Sequence, residues 1–263
     1  MTRLRSLPFV ALLGAAALPA QAIRYAPGDY KYSVTTVIKQ SQEMGDQKQA
    51  STISITQRMA VLLIARGADS LRFRTTLEDY AISADLPIQL PDVGKLKGTV
   101  VEGVMTAYGR VAHYSHRSPV TSGADVIALA ENMSRFVLAL SPNAAKGYTW
   151  TDTASSHNKN DGGELTERTV TTTLIDGDTV VAGVKAWRIR RHTTVTVKGM
   201  TVQDGASLPI TSDGDGTGTF CIGLQGVYLG AHTANTSVTT IQLPTGGIVK
   251  QTSSSDVAIA LLK

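Results

Sequence analysis

Over residues 186–198, apolar and polar side chains alternate almost without a break. Trp187, Ile189, Thr193, Val195 and Val197 share one face, while Arg188, Arg190, His192, Thr194, Thr196 and Lys198 share the other. A period of two is the mark of a half-buried β-strand, because successive side chains leave the pleat on opposite sides. Arg191 is the exception, a cation on the face that otherwise carries the apolar residues. Residues 71–77 repeat the pattern in miniature, with Leu71, Phe73 and Leu77 on one side and Arg72, Arg74 and Thr76 on the other.

Thr, Val and Ile recur elsewhere in short runs broken by Gly, Asp, Asn and Pro, which is the punctuation of an antiparallel β-protein. Strands are expected over 30–39, 51–65, 98–107, 110–116, 165–175, 217–224, 227–233, 236–242 and 255–261. Turns are expected at Met44-Gly45-Asp46, Arg66-Gly67-Ala68-Asp69, Asp161-Gly162-Gly163, Asp176-Gly177-Asp178 and Thr245-Gly246-Gly247, where Gly supplies positive φ. About a dozen hairpin-linked strands lead to a mainly β fold, one extended antiparallel sheet or barrel.

One stretch breaks the two-residue period. Over 124–140, Val126, Leu129, Ala130, Met133, Phe136, Val137 and Leu140 follow helical spacing, with Asp125, Glu131, Asn132 and Arg135 largely opposite. Ser122 with Asp125 reads as a capping signal, and Ser141-Pro142 as a stop. This amphipathic helix falls between two stretches of similar order, 25–120 and 145–262. Gly98-Thr99, Gly103 and Tyr108 match Gly218-Thr219, Gly223 and Tyr228; Gly28 and Tyr30 precede the first set as Gly147 and Trp150 precede the second. Two similar halves with a helix between them follow, the helix either bridging them or lying across the sheet.

Composition changes the picture at the amino terminus. Residues 1–22 carry basic Arg3 and Arg5, an apolar stretch from Leu7 to Ala20, and Ala20-Gln21-Ala22 as a cleavage site, which together read as a secretory signal. A single β-rich domain, 23–263, would then reside in the periplasm or outside the cell. No later run is predominantly apolar over the roughly twenty residues that a helical membrane span needs. Losing Arg3 and Arg5 lowers the formal charge from +4 to +2, so nucleic acid is not implied. Cys221 is the lone cysteine, so no internal disulfide can form and stability must come from a packed core.

Candidate chemistry is sparse. Asp213-Gly214-Asp215-Gly216-Thr217-Gly218 resembles the start of an EF-hand loop, but Leu224 stands where a bidentate Glu is required, so a flexible hairpin loop is expected. His113 and His116 are spaced for zinc on a helix, yet on a strand they face opposite ways. Cys221 sits between Phe220 and Ile222 and reads as a buried thiol. No hydrolase motif accompanies Ser253-Ser254-Ser255-Asp256. No metal, cofactor or catalytic residue is expected. Arg72, Arg74, Arg188, Arg190 and Lys198, with His192, make a basic face that is either solvated strand surface or a meeting place for anionic lipid or an acidic partner.

The leader, the duplicated β-unit, the Gly-x-Tyr and Gly-x-x-Trp strand starts and the helix ending in Leu140-Ser141-Pro142 resemble an uncharacterised family of secreted bacterial β-rich domains. That family is similar in layout to the LolA/LolB-like carriers of lipoproteins and lipids. The resemblance implies about eleven antiparallel strands in an incomplete barrel, with helix over an apolar face that receives acyl chains.

Two functional readings follow. In the first, a non-catalytic envelope protein binds an apolar ligand, a lipid acyl chain or lipoprotein tail, against its curved sheet. The expected walls are Leu71, Phe73, Leu77, Trp187, Ile189 and Val195 from strands and Met133, Phe136 and Leu140 from the helix. Each of these also reads as ordinary core. In the second, the sheet is fully packed and the protein is a structural or interaction module that engages another envelope protein. An enzyme with a dispersed site is a third, weaker alternative.

Overall fold

The computed structural model describes residues 22–85, 93–120, 124–160, 162–203 and 205–262, so the expected leader lies outside the described residues save for Ala22. The Ser of the expected capping pair, Ser122, lies outside them too. Five strands precede the helix: β1 (Gly28–Met44), β2 (Gln47–Gly67), β3 (Ser70–Ala84), β4 (Val100–Thr106) and β5 (Val111–Arg117). A single-turn 3₁₀ segment, Val93–Leu96, stands before β4. After α1 (Ala124–Ser134) come β6 (Thr149–Asn160), β7 (Gly163–Val181), β8 (Val184–Gln203), β9 (Ala206–Gly223), β10 (Tyr228–Gln242) and β11 (Ile248–Leu261).

The eleven strands of the described residues join one sheet in the order β5-β4-β3-β2-β1-β11-β10-β9-β8-β7-β6. Every pairing is antiparallel. Each half is a meander, and the two fan out in opposite directions from the central β1–β11 pair. As expected of a mainly β fold that does not close into a barrel, the sheet is open, and its edge strands, β5 and β6, are joined through α1 rather than to each other. The matched windows of the two halves sit differently: Gly98 lies in a turn at φ +87°, while Gly218 lies inside β9.

Several expectations need correction. Residues 213–218 are not a loop but the middle of β9, where Asp213, Asp215 and Thr217 pair on both sides like any strand residues. The expected strands 227–233 and 236–242 are one strand, β10. Asn235 does not turn the chain there; its side-chain amide donates instead to Ser255 Oγ on β11. Asp176-Gly177-Asp178 does not reverse the chain, because the extra residue is absorbed by a bulge between Ile175 and Gly177. The reversal falls at Ala182 and Gly183, both at positive φ (47° and 83°), and an alanine in the first of these places hid the turn from the sequence.

The helix is also shorter than 124–140, ending at Ser134, whose hydroxyl donates to the Glu131 carbonyl. Beyond it, Val137, Leu138 and Leu140 are all buried, too many around the helix circumference for one stripe. The chain leaves the helix and crosses the same face of the sheet in irregular form. It is fixed there by Tyr25 Oη donating to the Leu138 carbonyl and by the Leu140 amide donating to the Tyr108 carbonyl.

The core lies under this crossing. Tyr32 from β1, Phe136 and Tyr228 from β10 meet with ring centroids 4.8–5.7 Å apart. Around them Met59, Leu77, Val101, Ile175, Ile189 and Ile222 are almost wholly enclosed. The Tyr32 hydroxyl donates to the Tyr228 carbonyl at 2.9 Å, whereas the buried Tyr228 hydroxyl has no partner among the described residues.

Candidate functional site

Strand register lets the inner face, the one that carries α1, be followed row by row. The lowest complete row runs Tyr80, Gln57, Val34, Ile259, Ala231, Phe220, Ile189, Ile175, and is apolar except for Gln57. The next runs Ile82, Ile55, Thr36, Val257, Thr233, Gly218, Arg191, Thr173, Trp150, and turns polar after Val257. Above it come Ile53, Ile38, Ser255, Asn235, Gly216, Thr193, Thr171 and Asp152, polar from Ser255 onward.

Where the rows stay apolar, a cavity of about 740 Å³ opens between the sheet and α1. Its floor is Val34, Ile38, Ile55, Met59, Ile82, Val257 and Ile259, and its roof is Val126, Leu129, Met133 and Phe136. Val93 and Leu96 of the 3₁₀ segment close one side, and Thr36, Gln57, Tyr80, Lys95, Asn132 and Arg135 supply polar groups to the lining. Among the described residues no carboxylate lines it. A volume in the range of about 300–1,000 Å³, apolar walls and a few polar groups are the properties of a small-molecule pocket.

Of the expected wall residues, Met133 and Phe136 line this cavity. Leu71, Phe73, Leu77, Leu140 and Ile189 lie in the enclosed core. Trp187 is half-buried against that core, and Val195 lies on the polar half of the sheet. The strand residues of the floor escaped the sequence reading. Their signal was nevertheless present in the alternations Ile53-Ile55 and Val257-Ile259-Leu261, inside strands that were expected.

On the polar half, Gly214 and Gly216 leave a shallow groove of about 290 Å³ edged by Thr193, Val195, Asn235, Ser237 and Ser253. One row below stands Arg191. Its Nε is buried without a hydrogen-bond partner, and its Nη2 reaches Thr171 Oγ1 only at 3.5 Å. Burial pushes its pKa below the usual guanidinium value, partly offset by Asp152. Asp152 already accepts from Trp150 Nε1 at 3.0 Å.

The basic residues of the outer face are largely neutralised. Arg188 and Arg190 share Asp176 at 2.6 and 2.9 Å, and Arg74 pairs with Glu102. His192 and His232 contact Asp215 and Asp256 at 2.6 and 2.9 Å. Arg72 and Lys198 make no ion pair among the described residues. Cys221 is half-buried rather than fully enclosed, and burial raises its pKa. Among the described residues no group of three or more His, Cys, Asp or Glu side chains could hold a metal ion, and no helix is long and apolar enough to cross a membrane.

No protein-family model and no curated protein matches the chain. Solved structures similar to it include Pseudomonas aeruginosa OpdL, at 9% identity and a TM-score of 0.30, with 89% of this chain and 99% of that chain covered. Pseudomonas putida OprB at high pH follows at 10% identity and a TM-score of 0.25, with 89% and 94% covered. A DUF1329 family protein from Desulfovibrio piger shares 10% identity at a TM-score of 0.20, with 88% and 84% covered.

Proposed function

We propose that this protein is a non-catalytic binder of an apolar chain, the acyl tail of a lipid or lipoprotein, which it holds between α1 and the inner face of β1, β2, β3 and β11. The signal-like residues 1–22 support an extracytoplasmic place for this role, in the periplasm or outside the cell. The observation that carries the reading is the cavity itself: about 740 Å³ of space walled by aliphatic side chains from four strands and a helix. A core this close to Tyr32, Leu77 and Ile189, all essentially inaccessible to solvent, would be expected to close such a void if nothing used it. Each methylene moved from water into it gains about 0.8 kcal/mol, so a long acyl chain gains several kcal/mol after its ordering is charged against it.

The test is native mass spectrometry of protein purified from its own compartment, followed by solvent extraction and lipid analysis. Near-stoichiometric lipid, lost in a folded Met133→Trp variant that fills the cavity, is the expected result. Protein that is empty and also ignores added fatty acids and fluorescent apolar probes would sink the reading in favour of a module that engages another envelope protein.

A further inference from the structure

Resting on the reading of the cavity as a tail site, we infer that Arg191 anchors the ligand's head, and hence that the ligand is a single-chain amphiphile ending in an anionic group, a carboxylate or a phosphate. The inference starts from register. Val257, which walls the cavity, and Arg191 occupy the same cross-strand row of the inner face, with only Thr233 and Gly218 between them. Three strand spacings of about 4.8 Å put them roughly 14 Å apart, within the length of a long acyl chain lying across the sheet.

The cavity lining on the sheet stops at β11, while α1 packs on β4 and β5 at the other side. The floor therefore continues over β10 and β9 towards Arg191. Gly218 makes room on this path for its neighbours: a Cβ there would lie 2.7 Å from the Phe220 ring and 3.1 Å from Thr233 Cγ2, so the tail crosses over that ring and methyl.

Arg191 has the properties of an unfilled anion site. It is the single cation of its row, it makes no ion pair among the described residues, and its Nε is shielded from water without a partner. A guanidinium offers several N–H donors in a fixed fork, and leaving one buried and unpaired is unfavourable. A carboxylate or phosphate would accept from that fork, in the geometry for which Arg is suited. Asp152 is near enough to act on Arg191 through its charge but forms no ion pair with it, and its Oδ2 accepts from Trp150 Nε1. The anion is supplied by the ligand, and the tail then runs from β8 towards the cavity.

The experiment measures binding of dodecanoate, dodecyl phosphate and dodecanol, each below its micelle concentration, to the whole mature chain. Wild type, Arg191→Met, Arg191→Lys and Thr233→Glu are compared after circular dichroism has shown which are folded. The anchor predicts that one or both anions bind wild type at least tenfold more tightly than the alcohol. Arg191→Met should erase that preference, and Arg191→Lys should restore part of it. Thr233→Glu leaves the arginine in place but puts a carboxylate on the path, and should erase the preference too; it carries the test if Arg191→Met does not fold. The stronger of the two anions identifies the head group. Equal binding of all three probes to wild type, or a preference that survives both Arg191→Met and Thr233→Glu, overturns the anchor and leaves the cavity reading standing. Failure of every amphiphile to bind wild type overturns both.

Discussion

Strands β1–β3 with β11, and strands β8–β10, lie side by side in one continuous hydrogen-bonded sheet, yet their inner faces differ in kind. The first group presents Ile38, Ile55, Ile82, Val257 and Ile259 beneath a helix. The second presents Gly214, Gly216, Thr193, Asn235 and Ser237 around an open groove. Backbone pairing does not distinguish them, since the ladder runs across both with few irregularities. The lesson is that a ladder can extend a sheet well beyond its hydrophobic core, while the cover follows the apolar rows.

The sharpest way to break this comparison is to remove core mass from each group. Leu77→Ala and Ile189→Ala, at positions with 0% exposure, should each destabilise by about 2–5 kcal/mol in urea unfolding. Val195→Ala, half-exposed beside the groove, should remove less than about 1 kcal/mol. Equal losses at Leu77 and Val195 would mean that the polar half is as tightly packed as the covered one. Ile189 is the informative control, because it lies on β8 but in the lowest apolar row.

Alkali tests the same division without mutation. Tyr25, Tyr32 and Tyr228, all beneath the crossing segment, have pKa values raised first of all by burial. In the unfolded chain these phenols ionise near pH 10, whereas the folded chain holds them neutral. Their contribution to stability is therefore whole below about pH 10 and is lost as pH rises beyond it. Melting temperature should fall steeply above about pH 10, and tyrosinate absorbance for this group should appear only with unfolding. A smooth titration of all eight tyrosines in folded protein would show that the cover is loose.

A finer cut compares two hydroxyls within the cover. Tyr32→Phe deletes the 2.9 Å bond to the Tyr228 carbonyl and should destabilise by about 1 kcal/mol. Tyr228→Phe removes a buried hydroxyl that has no partner, and should be neutral or slightly stabilising. A loss at Tyr228 equal to that at Tyr32 would reveal a bonding partner for its hydroxyl.

The sequence made the fold class legible because alternation is a local property: residues 186–198 and 71–77 declared their faces before any contact was known. β6 was not legible, since Thr149–Asn160 is an edge strand exposed for most of its length and carries no apolar alternation to read. β9 was misread for a related reason. Gly214, Gly216 and Gly218 have loop composition, but they occupy alternate positions of a paired strand, and pairing is decided by Val195, Thr193 and Arg191 across the ladder rather than by glycine itself. The candidate site was half legible. Helical spacing picked out Met133 and Phe136, but which strand row lay opposite them depended on register across the β1–β11 pair, whose strands stand more than two hundred residues apart in the chain.

The smallest expected effect concerns those glycines, and it decides whether the open half is merely tolerant or is shaped. A Cβ at Gly214 would meet its nearest neighbours, the Thr236 carbonyl, Val195 Cβ and Ser237 Cβ, at 3.5–3.7 Å, which is ordinary contact. Glycine inside a strand is entropically unfavourable by roughly 0.5–1 kcal/mol, so Gly214→Ala should stabilise by a few tenths to about 1 kcal/mol. At Gly218 the Phe220 ring and Thr233 stand at 2.7 and 3.1 Å, so Gly218→Ala must displace them and should be neutral or destabilising by about 1 kcal/mol. Urea midpoints of the two single variants measure the difference directly. If Gly218→Ala stabilised as much as Gly214→Ala, the ring of Phe220 would be free to move aside, and the missing side chain at 218 would be an accident of composition. If the two diverge as expected, the absence of a side chain at 218 is a packing requirement of the row that joins the polar half to the cavity, whereas the absence at 214 is not.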